Sequence, residues 1–127
     1  MTDTTPAAEL RAAAEKLRSL AAEASPAPWT VNQWGNVETA GYEEVAEVWP
    51  LQSGPQVNAA YIAAMHPAVG LVLADWLDAA AKSYDALVIG AASVWRRSDE
   101  VEERDAWVAK QTDQYALAVA RQINGTA

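Results

Sequence analysis

The run from Asn58 to Asp78, NAAYIAAMHPAVGLVLADWLD, constrains this chain more than any other stretch. It reads as two helices broken at His66-Pro67. Proline has no backbone donor, and it pushes the residue before it out of the helical region. In the second half Val69, Val72, Leu73, Trp76, Leu77 and Ala80 recur at the 3.6-residue period and form one apolar stripe. That stripe is the expected centre of the core. The run contains no obvious nucleophile, metal cluster or phosphate loop.

The rest of the chain reads outward from this segment. Thr5-Pro6 opens a helix over 6–24, with Thr5 as N-cap and Pro6 in the first turn. Leu10, Ala13, Leu17, Leu20 and Ala24 form its apolar stripe. Ser25-Pro26-Ala27-Pro28 ends it. From 29 to 50 the pattern changes to short alternating runs with turn signals at Trp34-Gly35-Asn36 and Ala40-Gly41, which predicts a small antiparallel meander. Leu51-Gln52-Ser53-Gly54-Pro55 reads as a loop. Helices follow over 56–65, 67–94 and 99–123, the last opened by a capping pair of Asp99 and Glu102 and stopped at Asn124-Gly125. The expected fold is α+β: a small antiparallel β-meander packed with an N-terminal helix and a C-terminal helical bundle, in one domain over 1–127.

Bulk properties narrow the function classes. A chain of 127 residues, 51% of them apolar, can bury one modest core. Alanine dominates the apolar count, so the six tryptophans are expected to supply much of the burial, each contributing roughly 150–250 Å². The net charge of −8 argues against a nucleic-acid binder, which needs a basic face, and against an anionic membrane surface. With no cysteine there is no disulfide, thiolate metal site or cysteine nucleophile. The start MTDTTPAAEL has neither a basic nor an apolar signal region, so a cytoplasmic protein is expected.

The order of these pieces resembles a known group. Ala24-Ser25-Pro26-Ala27-Pro28-Trp29 is similar to its A-T-P-G-P-W pattern, and Asn58-Ala59-Ala60-Tyr61-Ile62-Ala63-Ala64 with His66-Pro67 to its second motif. The group comprises the ead-like accessory proteins of temperate phages and small proteins of Streptomyces and their phages. Ala116-Leu117-Ala118-Val119-Ala120-Arg121 is similar to the Streptomyces versions, and the resemblance covers roughly residues 5–82 and 115–122. It implies an accessory or host-modulating role and transfers no catalytic residue.

Each candidate site has a structural reading beside its functional one. His66, the one histidine, is a possible general base by its intrinsic pKa, but it reads better as a corner residue capping a carbonyl. Glu43-Glu44-x-x-Glu47 with Asp75-x-x-Asp78 is similar in outline to the magnesium-binding carboxylates of MazG-like nucleotide pyrophosphohydrolases. The first triad lies in a strand-like segment, however, where i and i+3 do not share a face, so solvated acidic positions explain it better. Among the tryptophans, Trp29 and Trp49 read as packing helices onto the sheet, whereas Trp34, in a turn, is the best binding residue. Asn32, Gln33, Asn36 and Tyr42 can add polar contacts around it. Arg96 and Arg97 can grip an anion in a pocket between subunits, or simply end a helix. The acidic run 99–105 reads as a solvated face or a lure for a basic partner.

The leading expectation is a non-enzymatic phage-type accessory protein that binds a host or defence component and forms a homo-oligomer. The alternatives are a small-ligand protein that sequesters a nucleotide signal and, less favoured, a metal-dependent nucleotide pyrophosphohydrolase. No cofactor and no metal are expected.

Overall fold

A computed structural model of the chain describes residues 5–49 and 55–126. The elements run α1 (Pro6–Glu23), β1 (Trp29–Val31), β2 (Val37–Thr39), β3 (Glu44–Ala46), α2 (Pro55–Ala64), α3 (Pro67–Val94), a 3-10 turn (Ser98–Glu100), α4 (Val101–Gln111) and α5 (Gln114–Asn124). This is an α+β fold with one antiparallel sheet in the order β1-β2-β3. The loop read over 51–55 lies, apart from Pro55, outside the described residues. Contacts divide the chain into two compact units, and the divisions fall within α1 and α3. One, here the helical unit, is Met1–Lys16 with Ala74–Ala127. The other, the sheet unit, is Leu17–Leu73.

Local chemistry sets most of the helix ends. The Thr5 hydroxyl accepts from the Ala8 amide at 3.2 Å, the N-cap read from the sequence. Gly125 closes α5 at φ 71°, a left-handed conformation that glycine takes without a Cβ penalty. The single helix expected over 99–123 is in fact two. At the break the Thr112 hydroxyl donates to the Val108 carbonyl at 2.7 Å, and Thr112 itself turns extended. Asp113 then accepts from the Tyr115 and Ala116 amides, both at 3.0 Å, and so caps α5. These side-chain bonds offer the backbone an alternative to continuing the helix. The Asp99–Glu102 capping pair does not form. Asp99 instead accepts two bonds from the Arg97 guanidinium at 3.1 Å, and the N-cap position of α4 is Glu100, with no side-chain cap bond.

In the helical unit the buried residues are Ala7, Leu10, Ala13 and Ala14 on α1, Ala74, Leu77, Ala81 and Ala91 on α3, Val108 on α4, and Ala116, Leu117 and Ala120 on α5. Polar ties add to this core. Arg121 grips the Glu9 carboxylate through two bonds of 3.2 and 3.3 Å, Asn124 donates to the Glu9 carbonyl, and Lys16 donates to the Ile123 carbonyl. Arg11 pairs with Asp85, and that hydrogen bond, with Asp78 adding to the field, holds the guanidinium above its ordinary pKa against a smaller desolvation effect.

The core differs in detail from the expectation. None of the six tryptophans is fully buried, although Trp29, Trp95, Trp76 and Trp107 each bury more than half of their surface, and the largest fully buried side chains are Leu10, Leu77 and Val37. The buried face of α3 is also rotated by about a quarter turn from the predicted stripe, so that Val72 and Trp76 face outward while Ala74 and Ala81 face in. Small side chains let helix backbones approach closely. The space left between such helices suits Ala and an occasional Leu, and indoles remain at the margin. Leu20 of the predicted α1 stripe is exposed as well, at the edge of an open hollow of about 200 Å³ bordered by Leu17, Trp29 and His66.

In the sheet unit Val37, Ala59 and Ala63 form the buried centre, and Trp29, Val31, Val45, Ala46, Val48 and Ile62 pack against it. Trp29 is anchored by its indole N–H, which donates to the Ser25 carbonyl at 3.0 Å. Strand pairing sets Trp29 against Thr39 and Val31 against Val37. A bulge between Val37 and Glu38 interrupts the β2–β3 ladder, and Glu38 faces Glu44 across it. Like charges so placed weaken a sheet. The Glu38 carboxylate is drawn instead to the Asn32 side-chain amide, which donates to it at 3.2 Å.

Candidate functional site

After β3 the chain runs on as Glu47-Val48-Trp49 without ladder partners. One bond holds it in place. The Val48 amide donates to the Asn36 side-chain oxygen at 2.9 Å, pinning the segment to the β1–β2 turn. Val48 packs into the core of the sheet unit, and its neighbours Glu47 and Trp49 are exposed. On α2, Ala59, Ile62 and Ala63 face the sheet, which leaves Asn58 and Tyr61 on the outer side. Between the two segments lies a groove of about 450 Å³ lined by Glu47, Val48, Trp49, Asn58, Tyr61 and Ile62. Trp49 is 74% exposed and Tyr61 71% exposed, although each carries a large aromatic surface.

Trp34 stands at the same end of the sheet. The side-chain oxygen of Asn32 accepts from the Trp34 and Asn36 amides at 3.0 and 3.1 Å, and Gly35 takes φ 79° to complete the turn. This turn leaves Trp34 73% exposed. The polar neighbours expected around it behave differently. Asn32 and Asn36 are engaged in shaping the turn and pinning Val48, so they act as scaffold. Tyr42 occupies the β2–β3 turn at the opposite end of the strands, exposed and at φ 66°. It therefore does not extend the Trp34 surface. Trp49, read as a packing residue, is the larger correction. It is a wall of the groove.

The remaining candidates resolve locally. The Arg96 Nε donates to the Ser93 carbonyl at 2.8 Å and so caps the end of α3, the structural role weighed for it. Arg97 pairs with Asp99 and Glu100. In the acidic run, Asp105 likewise pairs with Arg104 at 3.2 Å. His66 is half-buried at the α2–α3 corner, and its Nδ1 is buried without a hydrogen-bond partner, so that atom does not cap a carbonyl. Glu44 lies on β3, Glu47 follows it, and Asp75 and Asp78 lie on α3. Among the described residues no group of three or more His, Cys, Asp or Glu side chains is placed to hold a metal ion.

The helical unit has a cavity of its own, about 510 Å³, between α3, α4 and α5. Val88, Ala92, Val108, Ala109 and Leu117 form its apolar walls, with Tyr84, Arg104, Asp105, Gln114 and Arg121 around them. Trp95 and Trp107 meet nearby in the chain order, their ring centroids 5.5 Å apart and tilted by 43°, and this contact joins the end of α3 to α4.

Compared with protein-family models, with curated proteins and with solved structures, the chain matches none. Among the described residues no single helix is long and apolar enough to cross a membrane.

Proposed function

We propose that this chain is a non-enzymatic binding protein of the accessory type its sequence resembles, and that it engages a host or defence protein through the aromatic end of its sheet unit. One observation carries the reading. Trp34, Trp49 and Tyr61 stand exposed at one end of a small sheet, whereas Trp29 packs against the core of the same unit. Aromatic side chains with an apolar body and a polar tip are the characteristic anchors of protein interfaces. The test uses immobilised protein and a Trp34→Ala/Trp49→Ala variant exposed to the same Streptomyces lysate. Wild type is expected to retain a discrete partner at least tenfold over the variant, with the two melting temperatures within about 2 °C, as exposed sites predict. Equal retention by the two baits would remove the sheet end from the reading.

The ligand-sequestering alternative keeps one supporting observation, the cavity of the helical unit. Its size falls within the range of small-molecule sites. Under that reading a nucleotide at a hundred times its dissociation constant stabilises the fold by about 2.7 kcal/mol.

The protein works as a homo-oligomer paired through α3. That helix exposes Leu71, Val72, Trp76, Val88, Ile89 and Val94, and exposed apolar side chains in such number mark an interaction surface.

A further inference from the structure

We propose that the groove between Glu47-Val48-Trp49 and α2 docks an arginine or lysine side chain from a basic segment of the partner protein. The inference rests on the protein-binding reading above and names the chemistry of what is bound. An indole and a phenol line one groove, and each offers a π face that attracts a guanidinium or ammonium group. Glu47 lines the same groove and brings a carboxylate as counter-charge, and Asn58 adds a polar lining residue. The surroundings agree. The sheet unit carries five carboxylates against one guanidinium, a net charge of −4 over Leu17–Leu73. A field of that sign draws basic segments inward and repels acidic ones. Neutral apolar partners explain the two aromatics but leave the Glu47 carboxylate in the same groove uncompensated, and burying an unpaired charge is costly.

Glu47, Trp49 and Tyr61 reach one groove for stated reasons. The Asn36–Val48 bond fixes which way the segment faces, and the alternation around the half-buried Val48 turns its two neighbours outward together. Tyr61 faces out because Ala59 and Ala63 face in.

The experiment is a titration of the full chain, labelled with nitrogen-15, followed through the indole N–H signal of Trp49, which is identified by its loss in Trp49→Phe. Three probes are compared: a short glycine-serine peptide carrying two arginines, the same peptide with neutral citrulline at both places, and tetramethylammonium. The arginine peptide is expected to shift the Trp49 indole and the Tyr61 amide, and to bind at least tenfold more tightly than the citrulline peptide. Glu47→Gln is expected to weaken it threefold or more and to flatten its salt dependence. Trp49→Ala is expected to abolish the shifts at Tyr61, and Trp49→Phe to retain part of the affinity. Equal binding of the citrulline peptide, or arginine-induced shifts confined to other residues, would overturn the proposal. Tetramethylammonium binding more tightly than the peptide would overturn it in favour of a free quaternary amine. The outcome is separable from the lysate comparison. A partner lost with Trp34→Ala/Trp49→Ala alongside an inert arginine peptide leaves the interface standing and removes only its cationic occupant.

Discussion

Leu10→Ala is expected to lower the stability of this protein by about 3 kcal/mol, within the usual range of roughly 2–5 kcal/mol for a buried leucine, and to reduce its melting temperature by roughly 10 °C. Leu10 is completely buried on α1. The buried residues of α1 and α3 around the same core are otherwise mostly alanine, so few long side chains are present to swing into the space a truncation leaves. The cost of a cavity depends on how far its walls can collapse, and walls of alanine on hydrogen-bonded helices collapse little. Leu20→Ala on the same helix is the internal comparison. Leu20 is 57% exposed, and its truncation is expected to change stability by less than about 0.5 kcal/mol. Both positions belong to one stripe by period, so the pair separates the observed burial from the periodic pattern. Equal melting shifts for the two variants would show that the core does not lie where the structure places it.

The difference between Leu10 and Leu20 also explains which parts of the fold were readable in the sequence. The start of α3 at Pro67 was legible because proline acts through its own covalent geometry, whatever packs around it. The caps at Thr5 and Gly125 were legible for the same reason. The face of α3 was not. Periodicity finds the stripe with the largest apolar side chains, and on α3 that stripe is only partly the buried one: Leu77 is buried, whereas Val72 and Trp76 face outward and the alanines Ala74, Ala81 and Ala91 face in. The break at Thr112-Asp113 was hidden because both residues also occur within helices; only the three bonds they make, one donated back to Val108 and two accepted from the Tyr115 and Ala116 amides, mark the end of one helix and the start of the next. The candidate site divides in the same way. Trp34 was readable because Gly35-Asn36 announces a turn. Trp49 and Tyr61 were not, since one follows a strand and the other sits in an alanine-rich helix, where each looks like core. For Trp49 the separating signal is the Asn36–Val48 bond, which is not local in sequence, and for Tyr61 it is the burial of Ala59 and Ala63 on the other face of α2.

Gly90→Arg is expected to convert the protein from a pair to a monomer, raising the dissociation constant of the pair at least a hundredfold, without harming the fold. Trp76, Ser83 and Gly90 recur every seven residues along α3 and share one face, which Val94 extends. The charged residues of the helix, Asp75, Asp78, Lys82 and Asp85, all lie off that face. The spacing is self-complementary. In an antiparallel pair of α3 helices crossing at Ser83, Trp76 of each chain meets Gly90 of the other. A side chain built at Gly90 meets nothing within 4 Å, so the notch is open in the single chain and can take an indole. Arginine there fills the notch and sets a charge against Trp76 of the opposing helix, whereas within its own chain it replaces a poor helix former and is expected to add up to about 1 kcal/mol of helix stability. The two effects have opposite signs, which makes the variant diagnostic. Wild type is expected to sediment as a dimer at tens of micromolar and to melt at a temperature that rises with concentration, because association is linked to folding. Gly90→Arg is expected to sediment as a monomer and to melt independently of concentration. A wild-type monomer at 100 micromolar, or a Gly90→Arg dimer, would rule out pairing through this face, and the exposed apolar side chains of α3 would then need a different partner.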